Sequence, residues 1–443
     1  MPSNGLPNGW REAALAELGE FSTSSVDKKV SAAEKPVRLV NYMDVYRHDF
    51  IDCTLALMQV TATTVEMTRS QVRVGDLLFT PSSETPDDIG HSAVVVEELP
   101  RTLHSYHTVR LRPWVTAELH ARFCGRVANT SVVLKHFAQR AKGSTRYTLS
   151  LADFRSAPVR LPPLPEQRRI AEILDTLDEA IRATERLFAK LQQMKQGLLH
   201  DLLTRGIDDN GELRDPVRHP EQFKDSPLGR IPRGWIVAKL ASAADVLHGY
   251  AFDGAFFSDE PVGPVLLTPG NFHRAGGLYF TERNTKWFGG KPPPGYFLAP
   301  GDIVTVMTDL SPRTLILGRT VVLSDRDRLL HNQRIGKVVL RSASDWIPEF
   351  LAEQMSAPTF RRRVIVEATG TTVRHTSPGR MKSNPIMKPP IDEQAEIVSV
   401  MRAFATRLRG ERATHDRLST LKLGLMDDLL TGRVRVEIPT GAA

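Results

Sequence analysis

Two short turns in this 443-residue chain combine glycine, hydroxyl and basic side chains, which are residue types suited to binding nucleic acid. The second turn aligns with the first at an offset of 227 residues. Glycine permits close backbone approach, hydroxyls and amides donate to phosphate oxygens, and arginine can bind a phosphate or a guanine edge. An ordinary polar turn before a strand is the alternative. We predict DNA contacts from Lys142, Gly143, Ser144, Thr145, Arg146 and Tyr147 in the first turn, and from Gly370, Thr371, Thr372, Arg374 and His375 in the second.

Basic residues concentrate around both turns. The whole chain has 58 Lys and Arg against 51 Asp and Glu, so its net charge of +7 is modest. Residues 101–160, however, hold eleven basic and two acidic residues, and residues 328–387 hold ten basic and four acidic. Because duplex DNA carries one phosphate charge per ~1.7 Å, two such regions are what a DNA-binding surface requires. A solvated basic surface without a nucleic-acid partner is the alternative.

Three consecutive arginines at 361–363 belong to the second basic region. We expect them to lie on a helix that follows residues 350–355, so at most two of the three side chains can face DNA. We predict phosphate contacts, rather than base contacts, from Arg361 and Arg362.

An internal repeat accounts for the offset between the two turns. The segment from Pro162 to Ile170 reappears from Pro389 to Ile397, and the match continues without a gap as far as Thr204 and Thr431. Upstream, the residues that end in Trp10 resemble those that end in Trp235. The sequence therefore predicts a tandem duplication, in which a variable block and a helical block each occur twice.

The helical blocks predict two long amphipathic helices. Apolar residues recur at steps of three and four, prolines precede each block, and Gly206 and Gly432 suit a left-handed cap at its end. About 40 residues at ~1.5 Å rise give a helix of roughly 60 Å, whose apolar stripe must be covered. We expect the two stripes to cover each other; docking of each helix on its own block is the alternative. Gly197 and Gly424 recur at equivalent places, and we expect close backbone approach there, with the partner helix as the neighbour.

The variable blocks predict mixed α/β units with short strands. Apolar runs that read as strands cover 37–40, 93–96, 265–267, 320–323 and 337–340, separated by Gly, Pro and Asp turns. Between the first helix and the second block, residues 208–227 are polar and proline-rich and read as a linker. The fold class expected is therefore α+β or mixed, with an internal pseudo-two-fold repeat.

Several function classes are excluded by the sequence. Asn384-Pro385-Ile386 lacks the second proline and the aromatic residue that an adenine methyltransferase uses to hold a flipped base. Gly290-Lys291 is followed by proline, so it makes no phosphate loop. No paired carboxylates or metal-binding spacing stand out, and Cys53 and Cys124 are expected to be buried apolar residues. No apolar run is long enough for a membrane span or a signal peptide, so we expect a cytoplasmic protein with no catalytic or metal site.

The duplicated Pro-Pro-x-x-Glu-Gln-x-x-Ile entry into a long helix, together with Lys224 to Trp235 at the start of the second half, resembles the specificity subunit of type I restriction-modification systems. The resemblance covers nearly the whole chain. It implies two α/β target-recognition domains, each reading one half of a split DNA sequence, separated by two antiparallel helices in a coiled coil. It also implies that base-reading residues differ between members and cannot be assigned by motif.

The repeat, together with the resemblance, sets the expected domain boundaries. They are 1–157 and 226–384 for the two target-recognition domains, 158–207 and 385–432 for the two conserved helices, 208–225 for a linker and 433–443 for a C-terminal tail. The positions expected to pair the helices or to contact partner subunits are Glu166, Gln167, Ile170, Leu174, Leu177, Ile181, Leu191, Leu198, Glu393, Gln394, Ile397, Met401, Phe404, Leu408, Leu418 and Leu425.

The resemblance further implies partners for a non-catalytic chain. These are double-stranded DNA with a bipartite, asymmetric target, two methyltransferase subunits that methylate adenine N6, and, through them, the restriction subunits. S-adenosylmethionine, ATP and Mg²⁺ are expected in the partner subunits, and no cofactor is expected in this chain. Two alternatives stay open: a coiled-coil scaffold that bridges proteins and has incidental basic patches, and a specificity component of a system other than type I.

Overall fold

A computed structural model describes residues 6–115, 118–324 and 329–438. The first five residues of the first expected domain and the last five of the expected C-terminal tail lie outside the described residues. The chain forms two compact units, of which the first comprises Met1–Leu187 with Glu411–Ala443 and the second comprises Phe188–Gly410. Each long helix therefore contributes one part to each unit.

Within its described residues, the first unit contains twelve strands and six short α-helices. The strands are β1 (Arg11–Ala14), β2 (Gly19–Thr23), β3 (Lys35–Val40), β4 (Phe50–Ile51), β5 (Met58–Ala62), β6 (Leu77–Phe79), β7 (Ser82–Ser83), β8 (Ser92–Val95), β9 (Thr102–His104), β10 (Val109–Pro113), β11 (Tyr147–Thr148) and β12 (Pro158–Leu161). The helices are α1 (Leu15–Leu18), α2 (Tyr42–Arg47), α3 (Thr64–Arg69), α4 (Ala121–Val127), α5 (Ser131–Arg140) and α6 (Leu151–Arg155), followed by the long helix α7 (Leu164–Thr204), which begins in this unit.

Two larger sheets and two strand pairs organise the first unit. The order of the five-stranded sheet is β2-β10-β6-β8-β4, and that of the three-stranded sheet is β5-β3-β9. Strand β1 pairs antiparallel with β12, and β11 pairs antiparallel with β7. The β11–β7 pair fixes the first turn to the end of β6, because β7 follows β6 after two residues.

The second unit repeats this plan, and outside residues 325–328 it has fifteen strands and four short α-helices. The strands are β13 (Phe223–Lys224), β14 (Ile231–Pro232), β15 (Ile236–Lys239), β16 (Ala244–His248), β17 (Phe257–Ser258), β18 (Val265–Leu267), β19 (Lys286–Phe288), β20 (Phe297–Leu298), β21 (Ile303–Val306), β22 (Thr308–Asp309), β23 (Thr320–Val322), β24 (Leu329–His331), β25 (Ile335–Leu340), β26 (Arg374–His375) and β27 (Pro385–Lys388). The helices are α8 (Leu240–Ala243), α9 (Pro348–Ser356), α10 (Pro358–Val366) and α11 (Pro378–Ser383), followed by the long helix α12 (Ile391–Thr431).

The sheets of the second unit correspond to those of the first. The order β16-β25-β21-β23 matches β2-β10-β6-β8, β15 pairs with β27 as β1 does with β12, and β22 pairs with β26 as β7 does with β11. A further five-stranded sheet has the order β17-β19-β18-β24-β20. All five apolar runs predicted to be strands are confirmed as β3, β8, β18, β23 and β25, with small shifts at their ends.

Local sequence explains how each turn leads into a helix. After the first turn, Ser150 caps α6 by accepting a hydrogen bond from the backbone N–H of Asp153. After the second turn, Ser377 caps α11 by accepting from the N–H of Arg380. A serine at the N-cap satisfies one of the backbone donors that a helix start leaves unpaired. The two caps are again 227 residues apart, so the repeat includes the turn, the cap and the helix.

The long helices begin and end where the prolines and glycines predict. Helices α7 and α12 both contain 41 residues and follow the paired prolines. Gly206 and Gly432 have φ of +64° and +76°, as the cap prediction requires. The expectation for Gly197 and Gly424 is wrong, because a Cβ added to either would meet no described atom within 4 Å outside the helix's own turns. Within the described residues, no helix, including these two, combines the length and apolar character needed to cross a membrane.

Two other expectations from the sequence need correction. Cys124 is buried as predicted, but Cys53 is exposed, because it follows the end of β4 in an exposed turn rather than lying in a strand or helix. The segment expected to be a linker is folded: the Asp208 carboxylate accepts hydrogen bonds from the N–H groups of Asn210 and Glu212, and the segment ends in the β13–β14 pair. Aspartate makes such local turns readily, so a polar composition did not mean an extended chain.

Candidate nucleic-acid interface

The first turn is closed by two backbone hydrogen bonds between its ends. The N–H of Lys142 donates to the carbonyl of Thr148 at 3.1 Å, and the N–H of Thr148 donates back at 2.9 Å. Gly143 has φ of +148°, and a Cβ there would lie 2.0 Å from the backbone oxygen of Arg146. Glycine is therefore required at this position by the path of the chain.

The second turn has the same construction. The N–H of Thr369 donates to the carbonyl of His375 at 2.9 Å, and the N–H of His375 donates back at 2.8 Å. Gly370 has φ of +93°, and a Cβ there would lie 2.0 Å from the backbone oxygen of Val373. The two turns lie in different units, so the repeat gives each unit one such turn.

The side chains of the first turn face solvent. Lys142, Ser144, Thr145 and Arg146 are exposed, and Tyr147 is half-buried. The Nη2 and Nε groups of Arg146 donate to the hydroxyl of Ser82 at 3.2 and 3.4 Å, which orients the guanidinium along strand β7. Among the described residues, no acceptor binds its remaining donors. This turn can present hydroxyl and cationic donors to a phosphate backbone.

The second turn presents a different set of groups. Thr371 and Thr372 are exposed, whereas the guanidinium of Arg374 is half-buried and donates to the carbonyls of Ile365 at 2.9 Å and Gly370 at 3.3 Å. His375 is exposed, and its Nδ1 lies 3.0 Å from the hydroxyl of Thr308. Arg374 therefore stabilises the turn, and the exposed hydroxyls of Thr371 and Thr372 are the donors that the turn presents to solvent.

The arginine cluster lies on α10, as predicted, and Arg361 binds backbone groups of its own unit. Its guanidinium donates to the carbonyls of Leu317 at 3.0 Å and Leu315 at 2.9 Å. Burial lowers the pKa of Arg361 to about 10. The Nε and Nη2 donors of this half-buried side chain are therefore engaged by carbonyls of a neighbouring loop, and the phosphate contact of Arg361 stays a prediction. Arg362 is exposed and stays a candidate.

Glu166 and Gln167, at the start of α7, are used inside the first unit. The Glu166 carboxylate is fully buried and accepts hydrogen bonds from the indole Nε1 of Trp10 at 3.1 Å and from the guanidinium of Arg435 at 2.7 Å. The Gln167 amide donates to the carbonyls of Glu118 and Pro162. These contacts join the start of α7 to the N-terminal segment and to the chain that follows α12.

Glu393 and Gln394, at the start of α12, make the corresponding contacts in the second unit. The Glu393 carboxylate accepts from the indole Nε1 of Trp235 at 3.0 Å and from the guanidinium of Arg214, which follows the end of α7. The Gln394 amide donates to the carbonyls of Asp345 and Pro389. The expected role of the four Glu and Gln residues in partner contacts is thus replaced by an internal role. Sequence reasoning missed the tryptophan partners, although each tryptophan recurs together with its glutamate in both halves.

In the first unit, the start of α7 and the end of α12 pack side by side in opposite directions. The carboxylate of Asp178 lies 2.7 Å from the ammonium of Lys422, and the carboxylate of Glu185 lies 3.3 Å from the imidazole of His415. Seven residues forward along α7 thus correspond to seven residues back along α12. Ile170, Leu174 and Leu429 are buried in the same apolar core, with Leu177 and Leu425 packed against it.

In the second unit, the end of α7 and the start of α12 share another core. Leu202, Ile397 and Val398 are buried there, and Leu198 and Met401 pack against them. The apolar positions predicted to pair are all buried or half-buried: Ile170, Leu174, Leu177, Ile181, Leu191, Leu198, Ile397, Met401, Phe404, Leu408, Leu418 and Leu425. The two stripes were expected either to cover each other or to dock on their own blocks. Both arrangements occur, because each helix segment contacts the other helix and also its own block.

Opposite charges join the first block to α7. Arg126 on α4 is fully buried, and its guanidinium lies 2.6 Å from both Asp175 and Asp178. Arg122, one turn earlier, lies 3.4 Å from Asp175. Although burial opposes it, hydrogen bonds from Lys422 and Arg126 lower the pKa of Asp178.

The second unit reverses these charges at the equivalent positions. At an offset of 227, the two arginines of α4 become Glu349 and Glu353 on α9, and the two aspartates of α7 become Arg402 and Ala405 on α12. Glu349 forms an ion pair with Arg402. Burial raises the pKa of Glu353. A block therefore carries charges that match its own helix segment and that would repel the equivalent segment of the other unit.

Comparisons with known proteins agree with this architecture. Residues 129–193 match the family model described as the type I restriction modification DNA specificity domain. The chain is 25% identical over 290 residues to the type I restriction enzyme MjaVIII specificity subunit of Methanocaldococcus jannaschii, a match that covers 64% of each chain. It is 22% identical to the putative type I restriction enzyme MjaX specificity subunit of the same organism, over 98% of this chain and 95% of that one.

Solved structures share the fold. One describes complex assembly and conformational transition of the type I R-M system; it has a TM-score of 0.60 at 18% identity and covers 98% of this chain and 100% of that chain. The HsdS subunit from Thermoanaerobacter tengcongensis has a TM-score of 0.50 at 20% identity, over 98% of this chain and 99% of that one. At these identities the likeness shows a common mixed α/β fold with long helices. The resemblance indicated by the sequence motifs is confirmed: the chain is similar to the specificity subunits of type I restriction-modification systems.

Proposed function

We propose that this chain is the DNA sequence-recognition subunit of a type I restriction-modification complex and that it contributes no catalytic residue. Each block reads one half of a bipartite, asymmetric DNA site. The observation that carries this proposal is the repeated turn, which has the same backbone bridge in both units but different exposed side chains. A common frame with unlike contact residues suits two half-sites of different sequence.

The two long helices fix the unread spacer between the half-sites in this proposal. Each has 41 residues, which at ~1.5 Å per residue is about 60 Å. The ion pair of Asp178 with Lys422 and the contact of Glu185 with the imidazole of His415 support an antiparallel coiled coil with a defined register. A helix pair of constant length would hold two reading blocks at a constant separation.

Exposed apolar positions on the helices support two docking sites for methyltransferase subunits. Met194 on α7 and Leu421 on α12 are equivalent in the repeat, and each is 50% exposed. Gly197 and Gly424 follow them by three residues and are also exposed, so each pair lies on one face of its helix. Two equivalent surfaces fit two copies of one partner. The methyltransferase copies would supply adenine N6 methylation with S-adenosylmethionine and would connect the chain to the restriction subunits, which use ATP and Mg²⁺.

The proposal is tested with the chain purified together with its methyltransferase. Affinity for duplex DNA is measured against salt, and methylated adenines are mapped in a randomised duplex library. We expect log affinity to fall by ~0.9 per neutralised phosphate with log salt, and we expect one split motif with a constant spacer. Salt-independent or absent DNA binding, with the partner still bound, would favour a protein scaffold. Co-purification with a nuclease of another type would place the chain in a different system.

A further inference from the structure

A loop beside the second turn is held in one conformation by buried groups. This loop, residues 310–316, begins directly after β22, and β22 pairs with β26 of the turn, so Asp309 lies opposite Arg374. Asp309 is 2% exposed. Its carboxylate accepts hydrogen bonds from the backbone N–H groups of Ser311 at 2.8 Å, Ile316 at 2.8 Å and Leu317 at 3.2 Å. One buried carboxylate thus ties both ends of the loop together.

Arg361 secures the same loop from the other side. Its guanidinium donates to the carbonyls of Leu315 and Leu317, as described above, and also approaches that of Thr314 at 3.5 Å. Thr314 has φ of +49°, a left-handed conformation that a β-branched residue rarely adopts. Strained backbone persists when the surrounding structure over-determines it, and it is typical of functional sites.

The tip of the loop leaves two side chains in solvent. Leu310 is 57% exposed, and Arg313 is exposed at the other end of the tip. No described residue accepts a hydrogen bond from the Arg313 guanidinium, whose donors are therefore available to a ligand. A loop whose backbone is held rigidly loses little conformational entropy when it binds, so it can present the Arg313 side chain to a ligand from a defined position.

We propose that the 310–316 loop reads base edges of the half-site bound by the second block. In this assignment, which rests on the proposed function, Arg313 donates two hydrogen bonds to O6 and N7 of a guanine, and Leu310 packs against a thymine methyl group. These are the pairings that the major groove offers to an arginine and to an apolar side chain. The exposed hydroxyls of Thr371 and Thr372, on the adjacent turn, contact the phosphates that orient the loop.

The equivalent loop of the first unit supports a role in sequence discrimination. Ser83 occupies the place of Asp309 in the β7–β11 pair, and the residues that follow carry Glu84, Asp87 and Asp88 in place of the arginine. The Asp88 carboxylate binds the Tyr46 hydroxyl at 2.8 Å. The frame of the two loops is thus repeated while their chemistry differs, as reading of unlike half-sites requires.

The test maps adenine methylation in a randomised duplex library with the chain and methyltransferase complex carrying Arg313→Ala. The matched control is Arg362→Ala, since Arg362 is also an exposed arginine and lies on the neighbouring helix α10. We expect Arg313→Ala to lower the preference for guanine at one position of one half-site by about tenfold or more. The other half-site should be unchanged. Arg362→Ala should weaken binding to all sequences and reduce the salt slope by about one, without changing the motif.

Three outcomes overturn the assignment. An unchanged motif and an unchanged affinity with Arg313→Ala show that Arg313 does not contact the DNA. An unchanged motif with a uniform loss of affinity shows that Arg313 contacts a phosphate and reads no base. A wild-type complex without any sequence preference removes the proposed function itself, and this inference with it, which distinguishes that failure from the first two.

Discussion

The indole Nε1 of Trp10 donates a 3.1 Å hydrogen bond to the buried carboxylate of Glu166, and Trp235 donates to Glu393 at 3.0 Å in the repeat. Each carboxylate also binds an arginine that follows the end of the opposite helix, Arg435 for Glu166 and Arg214 for Glu393. One buried group therefore fastens three chain segments in each unit. The Pro-Pro-x-x-Glu-Gln motif is explained by this internal contact.

Removing the indole donor should destabilise the first unit. Trp10→Phe keeps most of the apolar volume but leaves the buried Glu166 carboxylate with one donor fewer, at a cost of about 1–3 kcal/mol. Urea unfolding followed by hydrogen exchange of first-unit peptides measures the loss. Trp235→Phe is the matched variant and should affect second-unit peptides instead. Equal stability of wild type and Trp10→Phe would show that the hydrogen bond has no net effect.

The charged residues that join the first block to α7 should be replaceable by their counterparts from the second unit only when all of them are changed together. Arg126→Glu places a buried carboxylate beside Asp175 and Asp178, and we expect a loss of about 3–5 kcal/mol in the first unit. Adding Arg122→Glu, Asp175→Arg and Asp178→Ala copies the arrangement of the second unit and should restore more than half of that loss. Thermal unfolding compares the single and quadruple variants. A quadruple variant as unstable as the single one would contradict charge matching.

Gly197, inside α7, and Gly206, just after its end, should respond to alanine in opposite ways. Gly197→Ala adds a Cβ in open space, so it should stabilise the free chain by about 0.5–1 kcal/mol. Gly206→Ala should be destabilising by more than about 1 kcal/mol, because φ is +64° and its Cβ would lie 2.1 Å from the Glu393 carboxylate. Thermal unfolding checks both. Pull-down of the methyltransferase adds a second readout, in which weaker capture by Gly197→Ala supports docking at this face.

Buried His104 should make the first unit sensitive to acid. Burial lowers the pKa of His104 from 6.5 to about 3, so between these values the unfolded state binds a proton that the folded state does not. Stability therefore falls as the pH is lowered below 6.5. From pH 7.5 to 5.5, wild type should lose about 1.4 kcal/mol more than His104→Asn, which does not titrate. Urea unfolding at both pH values measures this, and parallel losses in the two proteins would refute it.

Spacer length should follow helix length. A heptad inserted between residues 185 and 186 of α7 and another between 414 and 415 of α12 keeps the stripes in phase and adds about 10 Å, close to three base pairs. Methylation mapping should then show both half-sites unchanged and a longer spacer. Insertion into one helix alone is the control and should disturb pairing. Altered half-sites with a constant spacer would contradict this function of the helices.

The sequence alone determined the features that are local or repeated. The heptad-like stripes, the flanking prolines and the cap glycines predicted α7 and α12, because helix formation depends on periodicity and on end residues that lie close in the chain. The common offset of 227 predicted equivalent turns, and the residues whose backbone hydrogen bonds close the two turns are related by this same offset.

Tertiary structure decided which charged groups are available to a ligand. Arg361 and Arg362 are neighbours in the chain, yet one is enclosed by the carbonyls of Leu315 and Leu317 and the other is in solvent. That difference depends on a loop some 45 residues away, which no local pattern reports. For the same reason, the sequence did not predict the partners of Glu166 or the open space at Gly197. Long-range packing, rather than residue type, determines what each group contacts.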